Sequence, residues 1–405
     1  MPGPVARLAA IDEAFSSLPD RYLGADVGFD ATYKVSLCDI GRTWEVRCTH
    51  HGARVRKGGT RRRPDVTINT TSNTWMALRE GRLSGVEAFD RRLLGVRGNL
   101  DHAIAFEGLF RLPNGRPPLL KIGHVSVGRH RISTLTMGSG PDVLLLHGLG
   151  STRASLFETA AALSPAYTVH APDLPGFGSS SKPASGAYSA RWFAESMLGL
   201  MDALEIQQAR IVGNSLGGRI AIEIGLIAPE RTAALGLLCP AVAWIRRSLH
   251  PLVRLIRPEV GMLPHAFRRS LVASHVRRMF HDRDQIDPDV ADLVVDEFRR
   301  IYQSPAARYA FWSSARNIYL EAPFGAAGFY PRLAKLRPPA LFVWGGNDSL
   351  VPPAFGRHVG KWLPEAEQVT LAHCGHVPQV EQSERTNELL TEFFDRAGRA
   401  QVRAA

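Results

Sequence analysis

Apolar residues fall in two different rhythms along this chain. Between Tyr33 and Ile68 they alternate with polar ones: Tyr33, Val35 and Leu37, then Trp44, Val46 and Cys48, then Ala53 and Val55, then Val66 and Ile68. Period-two runs bounded by Gly or charged turn residues predict an antiparallel meander with one apolar face. Helical spacing follows in "SNTWMALREG", "LSGVEAFDRRL" and "NLDHAIAFEGLF", completing a small α+β domain. The Pro- and Gly-rich stretch Leu112 to Lys121 lacks periodicity and reads as a linker. Beyond it the rhythm changes. "DVLLLHG", "YTVHAPD", "ARIVGNS", "ALGLLC" and "ALFVWGG" are continuous apolar runs, as expected of strands buried on both faces. Helical segments such as Ala190 to Leu204 and Leu216 to Ile227 lie between them, which is the pattern of a doubly wound, mostly parallel sheet. The alternation stops from Pro240 to about Tyr330, an Arg-rich helical stretch best read as a cap inserted after one strand. The expected division is residues 1–115 and 116–405, with the cap at about 240–330.

Composition narrows the class. Of 405 residues, 45% are hydrophobic, enough for a real core. The longest apolar run, Ala233 to Ile245, contains Pro240 and is too short to span a bilayer. The N-terminus carries acids where a signal peptide needs an unbroken apolar region, so a cytoplasmic protein is expected. Four scattered cysteines have neither metal-ligand nor redox spacing. The net charge is +11, with arginines concentrated at Arg54–Pro64 and Arg246–Arg283. Neither cluster carries a nucleic-acid-binding pattern, and no nucleic-acid partner is expected. Nothing in these patterns sets an oligomeric state.

Candidate chemistry begins at "IVGNSLGG". Gly213, Asn214, Ser215, Leu216 and Gly217 give Gly-x-Ser-x-Gly straight after a β-branched run. Small flanking residues let a strand turn sharply into a helix and hold the serine hydroxyl out of the turn. A serine is a poor nucleophile at neutral pH and needs a base, and the base needs an orienter. Asp348 in "LFVWGGNDSLVP" sits at a strand's carboxyl end, where open α/β sheets build their sites. "AHCGHVPQVEQ" offers His373 and His376. His376 lies in the Gly-His-Val-Pro loop and is preferred as base, while His373 ends the preceding apolar run and is expected to pack. In "LLLHGLG" the turn after His147 aims the Leu149 N–H inward, where with the Leu216 N–H it would form an oxyanion hole. The side chain of His147 itself is expected to make a structural hydrogen bond. No metal or organic cofactor is implied.

The residues from about Ile122 onward resemble the α/β-hydrolase superfamily, through "HGLG", "PDLPGFGSSSKP", "VGNSLGG", "GGND" and "GHVP". The Asp-Leu-Pro-Gly-x-Gly-x-Ser loop is similar to that of the esterase, lipase and C–C hydrolase branch. The resemblance implies eight strands with a helical lid and the order Ser215, Asp348, His376. Dehalogenases and epoxide hydrolases of this fold use an aspartate nucleophile, which serine at 215 argues against. The meta-cleavage C–C hydrolases usually continue "HGxGPG" where this chain reads "HGLGST".

The first domain resembles the sterol carrier protein 2 (SCP2) family over Pro64 to Phe110. The order is an Asp-x-Thr-type strand, a Trp-bearing helix, a Gly-x-Leu turn, a helix, a short strand ending Gly-Asn and a last amphipathic helix. The resemblance implies an apolar cavity for lipid or acyl chains, lined or backed by Trp75, Leu78, Phe89, Leu93, Ile104, Phe106 and Phe110. A plain dry core is the alternative role for the same side chains.

The expected activity is hydrolysis of a carboxylic ester, of a lipid or other apolar acyl substrate, through an acyl-enzyme. The rivals are a C–C bond hydrolase and a non-catalytic lipid carrier or sensor. In the cap, Trp244, Ile245, Leu249, Leu252, Val253 and Ile256 interleave with Arg246, Arg247, Arg254 and Arg257. This spacing predicts an amphipathic helix with a basic polar side. Such a helix covers the active site as a lid, and can also lie peripherally on an anionic membrane, each basic residue adding about 1 kcal/mol.

Overall fold

Both rhythms become strands, but they pair in different ways. The computed structural model describes residues 4–26, 29–59, 62–244, 255, 257–263, 268–282 and 288–404. Internal contacts divide the chain into two units, Met1–Ile122 and Gly123–Ala405.

The first unit holds strands β1 (Asp30–Leu37), β2 (Arg42–Thr49), β3 (Gly52–Lys57), β4 (Val66–Thr70) and β5 (Leu94–Gly98). Its helices are α1 (Pro4–Ser16), α2 (Ser72–Glu80), α3 (Gly85–Asp90) and α4 (Leu100–Gly108). β1, β2 and β3 form the expected antiparallel meander. β4 instead pairs with β1 in parallel, and β5 closes the edge antiparallel to β4, giving the order β3-β2-β1-β4-β5. Alternation specifies which face is buried and not which strand lies alongside, so this neighbour was not readable from spacing. The inward positions Ala31, Tyr33, Val35, Leu37, Trp44, Val46, Cys48, Val66 and Ile68 are all buried. Helix α1 covers them with Ile11, Ala14 and Phe15, joined by Leu18 just past its end, and the Phe15 ring stacks between Trp44 at 4.0 Å and Trp75 at 4.4 Å. Thr71, Ser84 and Asn99 cap α2, α3 and α4 through their side chains, each cap contributing about 1 kcal/mol.

The second unit is built on eight strands: β6 (Leu120–Val127), β7 (His130–Gly138), β8 (Asp142–Leu146), β9 (Thr168–Pro172), β10 (Ala209–Asn214), β11 (Thr232–Leu238), β12 (Ala340–Gly345) and β13 (Glu367–Leu371). Their order is β13-β12-β11-β10-β8-β9-β7-β6. Pairs from β9 to β13 are parallel, and β7 is antiparallel to β9. Helices α5 (Phe157–Leu163), α6 (Ala190–Ala203) and α7 (Leu216–Ile227) follow β8, β9 and β10. Beyond the cap, whose described helices are numbered α8 to α10, come α11 (Phe329–Leu333), α12 (Phe355–Trp362), α13 (Pro378–Glu381) and α14 (Ser383–Ala404). Strands β11 and β12 are buried at every position, which explains their continuous apolar runs. Successive residues of β11 face opposite layers. Leu235 meets Gly225 of α7, while Gly236 meets Leu390 of α14, so helices cover both faces.

The cap occupies the connection between β11 and β12. Its described helices are α8 (Arg269–Arg277), α9 (Pro288–Ile301) and α10 (Pro305–Leu320), with a short 3₁₀ turn at Pro258–Met262. Val272 and Val276 of α8 pack on Val295 of α9. Buried Arg308 holds the 3₁₀ turn by donating to the carbonyls of Gly261 (2.8 Å), Met262 (3.2 Å) and Leu263 (3.3 Å). Of the amphipathic helix expected here, Ile245, Arg246, Arg247, Leu249, Leu252, Val253, Arg254 and Ile256 lie outside the described residues. Arg257 does not continue a helix: it is exposed and extended, with φ −82° and ψ 134°, at the entrance to the 3₁₀ turn.

Candidate active site

Strand β10 ends at Asn214 and helix α7 begins at Leu216, leaving Ser215 alone at the junction. Its backbone takes φ 55° and ψ −112°, a left-handed conformation costly for a residue with a Cβ. Main-chain bonds hold it there: the Ser215 N–H donates to the Leu238 carbonyl at 3.0 Å, and the Ala241 N–H donates to the Ser215 carbonyl at 2.9 Å. The flanking glycines are needed for space. A Cβ on Gly213 would collide with Gly217, and one on Gly217 would collide with the Leu146 carbonyl. The spacing read from the sequence is therefore a close-packed turn, with the serine left half-buried.

Asp348 and His376 meet directly. His376 Nδ1 lies 2.7 Å from Asp348 Oδ2. Asp348 Oδ1 accepts the N–H groups of Leu350 (2.7 Å) and Val351 (2.9 Å), so the carboxylate cannot swing away. Both side chains are buried. The serine loop joins this pair through Asn214, whose Nδ2 donates to the His376 carbonyl (3.1 Å) and to Leu238 O (3.1 Å). His373 does not pack as expected. It is exposed, has φ 53°, and its ring lies beside that of His281.

The turn after β8 runs past the serine. A Cβ on Gly148 would stand 3.4 Å from Ser215 Cβ, which puts Leu149 beside the Ser215 turn. Leu216 is the first helical residue of α7, so its N–H is outside the helix ladder. His147 is fully buried. The Leu174 N–H donates to its Nε2 at 3.0 Å, which leaves the proton on Nδ1, 2.9 Å from the Gly148 carbonyl. Behind it Arg153 is buried against Asp173 (3.1 Å) and donates to Ser133 Oγ at 2.8 Å. These bonds brace the Gly148–Gly150 turn against the Asp-Leu-Pro-Gly loop.

Cys239, the residue after β11, also borders the Asp348–His376 pair. Its Sγ, an Asp348 oxygen and a His376 ring nitrogen lie within 4.8 Å of one another, and all three residues are buried. The trio has the donor types of a metal centre, but its donors are already engaged. Asp348 already accepts three hydrogen bonds, and Cys239 Sγ receives the Gly345 N–H at 3.3 Å. Burial, reinforced by Asp348, pushes the Cys239 thiol well above its ordinary range. Cys239 is thus a neutral thiol beside the Asp348–His376 pair. Cys374 is likewise pushed up to about 12, chiefly by burial.

In the first unit, Trp75, Phe106 and Phe110 join one buried cluster. Ile104 is buried outside that cluster, and Leu78 and Phe89 are half-buried. Leu93 is 42% exposed and turned away from the interior, because it ends the tight turn leading into β5. Phe15, which spacing around Trp75 did not point to, stacks on the indole at 4.4 Å, while the ring of Phe106 lies 6.0 Å from it.

The chain belongs to the alpha/beta hydrolase fold family, whose sequence model matches residues 141–383. The SCP-2 sterol transfer family matches residues 24–111, the first unit. Among curated relatives, a 2-hydroxymuconate semialdehyde hydrolase of Pseudomonas putida is 29% identical over 66% of this chain and 92% of its own length. A pimeloyl-[acyl-carrier protein] methyl ester esterase of Aeromonas hydrophila is 28% identical over 65% of this chain and 98% of its own. A solved bacterial membrane phospholipase A is similar at 27% identity and TM-score 0.59, over 69% of this chain and 87% of its own. The protein is thus a hydrolase of the α/β fold carrying an SCP2-like first unit. No helix among the described residues is long and apolar enough to cross a membrane.

Proposed function

We propose that this hydrolase cleaves carboxylic esters of lipids or other apolar acyl groups through an acyl-enzyme. The observation that carries the reading is the His376–Asp348 pair at 2.7 Å, tied through Asn214 to a serine strained onto a strand–helix turn. In this reading Ser215 Oγ attacks the ester carbonyl while His376 Nε2 takes its proton. Asp348 accepts from Nδ1–H and so fixes the useful tautomer. The N–H groups of Leu149 and Leu216 receive the oxyanion. His376 returns the proton to the leaving alkoxide, and the same base activates water to release the acid. Residues 116–405 do this chemistry, and residues 1–115 are the lipid-binding module, with Trp75, Leu78, Phe89, Ile104, Phe106 and Phe110 facing or backing the bound chain and Leu93, exposed, left at its rim. The reading places the protein in the cytoplasm and, peripherally, at an anionic membrane.

The C–C bond rival keeps support, because a 29% identical relative is named a 2-hydroxymuconate semialdehyde hydrolase and a 27% identical solved structure a meta-cleavage product hydrolase. Turnover of a p-nitrophenyl ester and of a coloured 2-hydroxy-6-oxo-dienoate separates the two. Ester kcat/KM is expected to exceed dienoate kcat/KM by about a hundredfold, a difference of roughly 2.7 kcal/mol in transition-state binding. The opposite ratio reverses the assignment, and turnover of neither leaves a carrier.

Membrane contact is supported by the cap surface. Val260 and Leu263 on the pinned 3₁₀ turn are 56% and 61% exposed, and Trp312 beside it is 40% exposed. Vesicles rich in anionic lipid should co-sediment the protein at low salt and release it at high salt, since screening acts within about 10 Å. Replacing Arg246, Arg247, Arg254 and Arg257 by Gln should weaken sedimentation and leave soluble-ester turnover nearly unchanged. Sedimentation indifferent to salt and to these four changes contradicts the membrane reading.

A further inference from the structure

The loop that carries His376 is held from outside by a strap of the cap. The strap is residues 278–282, running off the C-terminus of α8. The His376 N–H donates to the Met279 carbonyl at 2.5 Å. On the acid side, Ser349 Oγ, next to Asp348, donates to the Arg278 carbonyl at 3.4 Å. Gly375 passes so close that a Cβ there would collide with the Met279 carbonyl and stand 2.9 Å from the His281 nitrogen. One strap therefore touches both the acid loop and the base loop.

Glu381 closes this junction. It is the last residue of α13, and its carboxylate sits between the strap and the His376 loop. Oε2 accepts the Gly375 N–H at 2.5 Å, one peptide from His376. Oε1 accepts the His281 N–H at 2.7 Å and the Asp282 N–H at 3.4 Å. Charge-assisted bonds of this kind are roughly twice as strong as neutral ones. Only an acceptor on both oxygens can serve both chains, because a glutamine would turn an NH₂ toward one of the N–H donors. Glu381 lies off the acid–base pair: it bonds neither Asp348 nor the His376 ring in any contact described above.

We propose that Glu381 is a positioning residue that fixes the base by fastening the His376 loop to the cap strap. The inference rests on the reading of His376 as base. The strap and the base loop then form one unit, and the imidazole keeps its place relative to Ser215 only while both are fastened. Loss of even about 1 Å in such placement costs around a hundredfold in rate.

The test compares the full-length wild type with Glu381→Gln and Glu381→Asp, each normalised to active sites by the p-nitrophenol burst. Glu381→Gln should lower kcat per titrated site and the rate of fluorophosphonate labelling together, by about 10- to 100-fold. The Ki of a product carboxylic acid should stay within about twofold, because binding does not use Glu381. Glu381→Asp keeps both acceptors on a shorter arm and should fall between Gln and the wild type. A role in packing alone would lower the melting temperature and leave kcat per titrated site unchanged; that outcome overturns the proposal. Wild-type turnover that survives Ser215→Ala or His376→Ala overturns the function reading itself. Turnover that needs both residues but ignores Glu381 overturns only the positioning role.

Discussion

Replacing Ser215 by alanine lowers kcat for a short p-nitrophenyl ester by about a million-fold, roughly 8 kcal/mol of transition-state stabilisation. The turn itself should survive. What holds residue 215 at φ 55° is main-chain bonding to Leu238 and Ala241 and the close approach of Gly213 and Gly217, none of which uses the hydroxyl. Far-UV dichroism and the melting temperature should therefore match the wild type, while labelling by a fluorophosphonate disappears. Wild-type labelling at a different serine would sink the assignment.

His376→Ala should cost nearly as much, and the double variant with Ser215→Ala should cost no more than either single change, because such residues act as a unit. Asp348→Asn should cost less, about ten-thousand-fold. The asparagine keeps the site's shape, but its NH₂ faces Nδ1 and favours the wrong tautomer. His373→Ala should stay within about twofold of the wild type, since that ring is exposed beside His281 and outside the Asp348 pair. A dead His373→Ala together with an active His376→Ala would reverse the choice of base.

Sequence reasoning succeeded where burial is uniform. β11 and β12 are apolar throughout because both faces are covered, and α7 was bounded at Leu216 and Ile227 as the structure has it. The Gly-x-Ser-x-Gly turn was legible because each glycine answers a collision. Helix α1 left only the helical spacing of Ile11, Ala14 and Phe15, with Leu18 just past its end, as a signal in the sequence. The parallel β1–β4 pairing left no trace in alternation. Long-range polar contacts were also invisible. Asn214 bonds a carbonyl 162 residues away, and buried Arg153 with Asp173 reads locally as two ordinary charges. The same holds for Glu381, whose partners lie in the cap. His373 was misjudged because it follows an apolar strand, yet β13 ends at Leu371 and the chain turns outward two residues later.

The central claim is a covalent intermediate on Ser215. Rapid acid quench of the protein during turnover of an apolar acyl ester, followed by peptide mass mapping, tests it most directly. The account predicts the acyl mass on the peptide containing Ser215, forming within one turnover and absent from Ser215→Ala. An acyl group on any other residue, or steady turnover with no acylated peptide at any quench time, would contradict it.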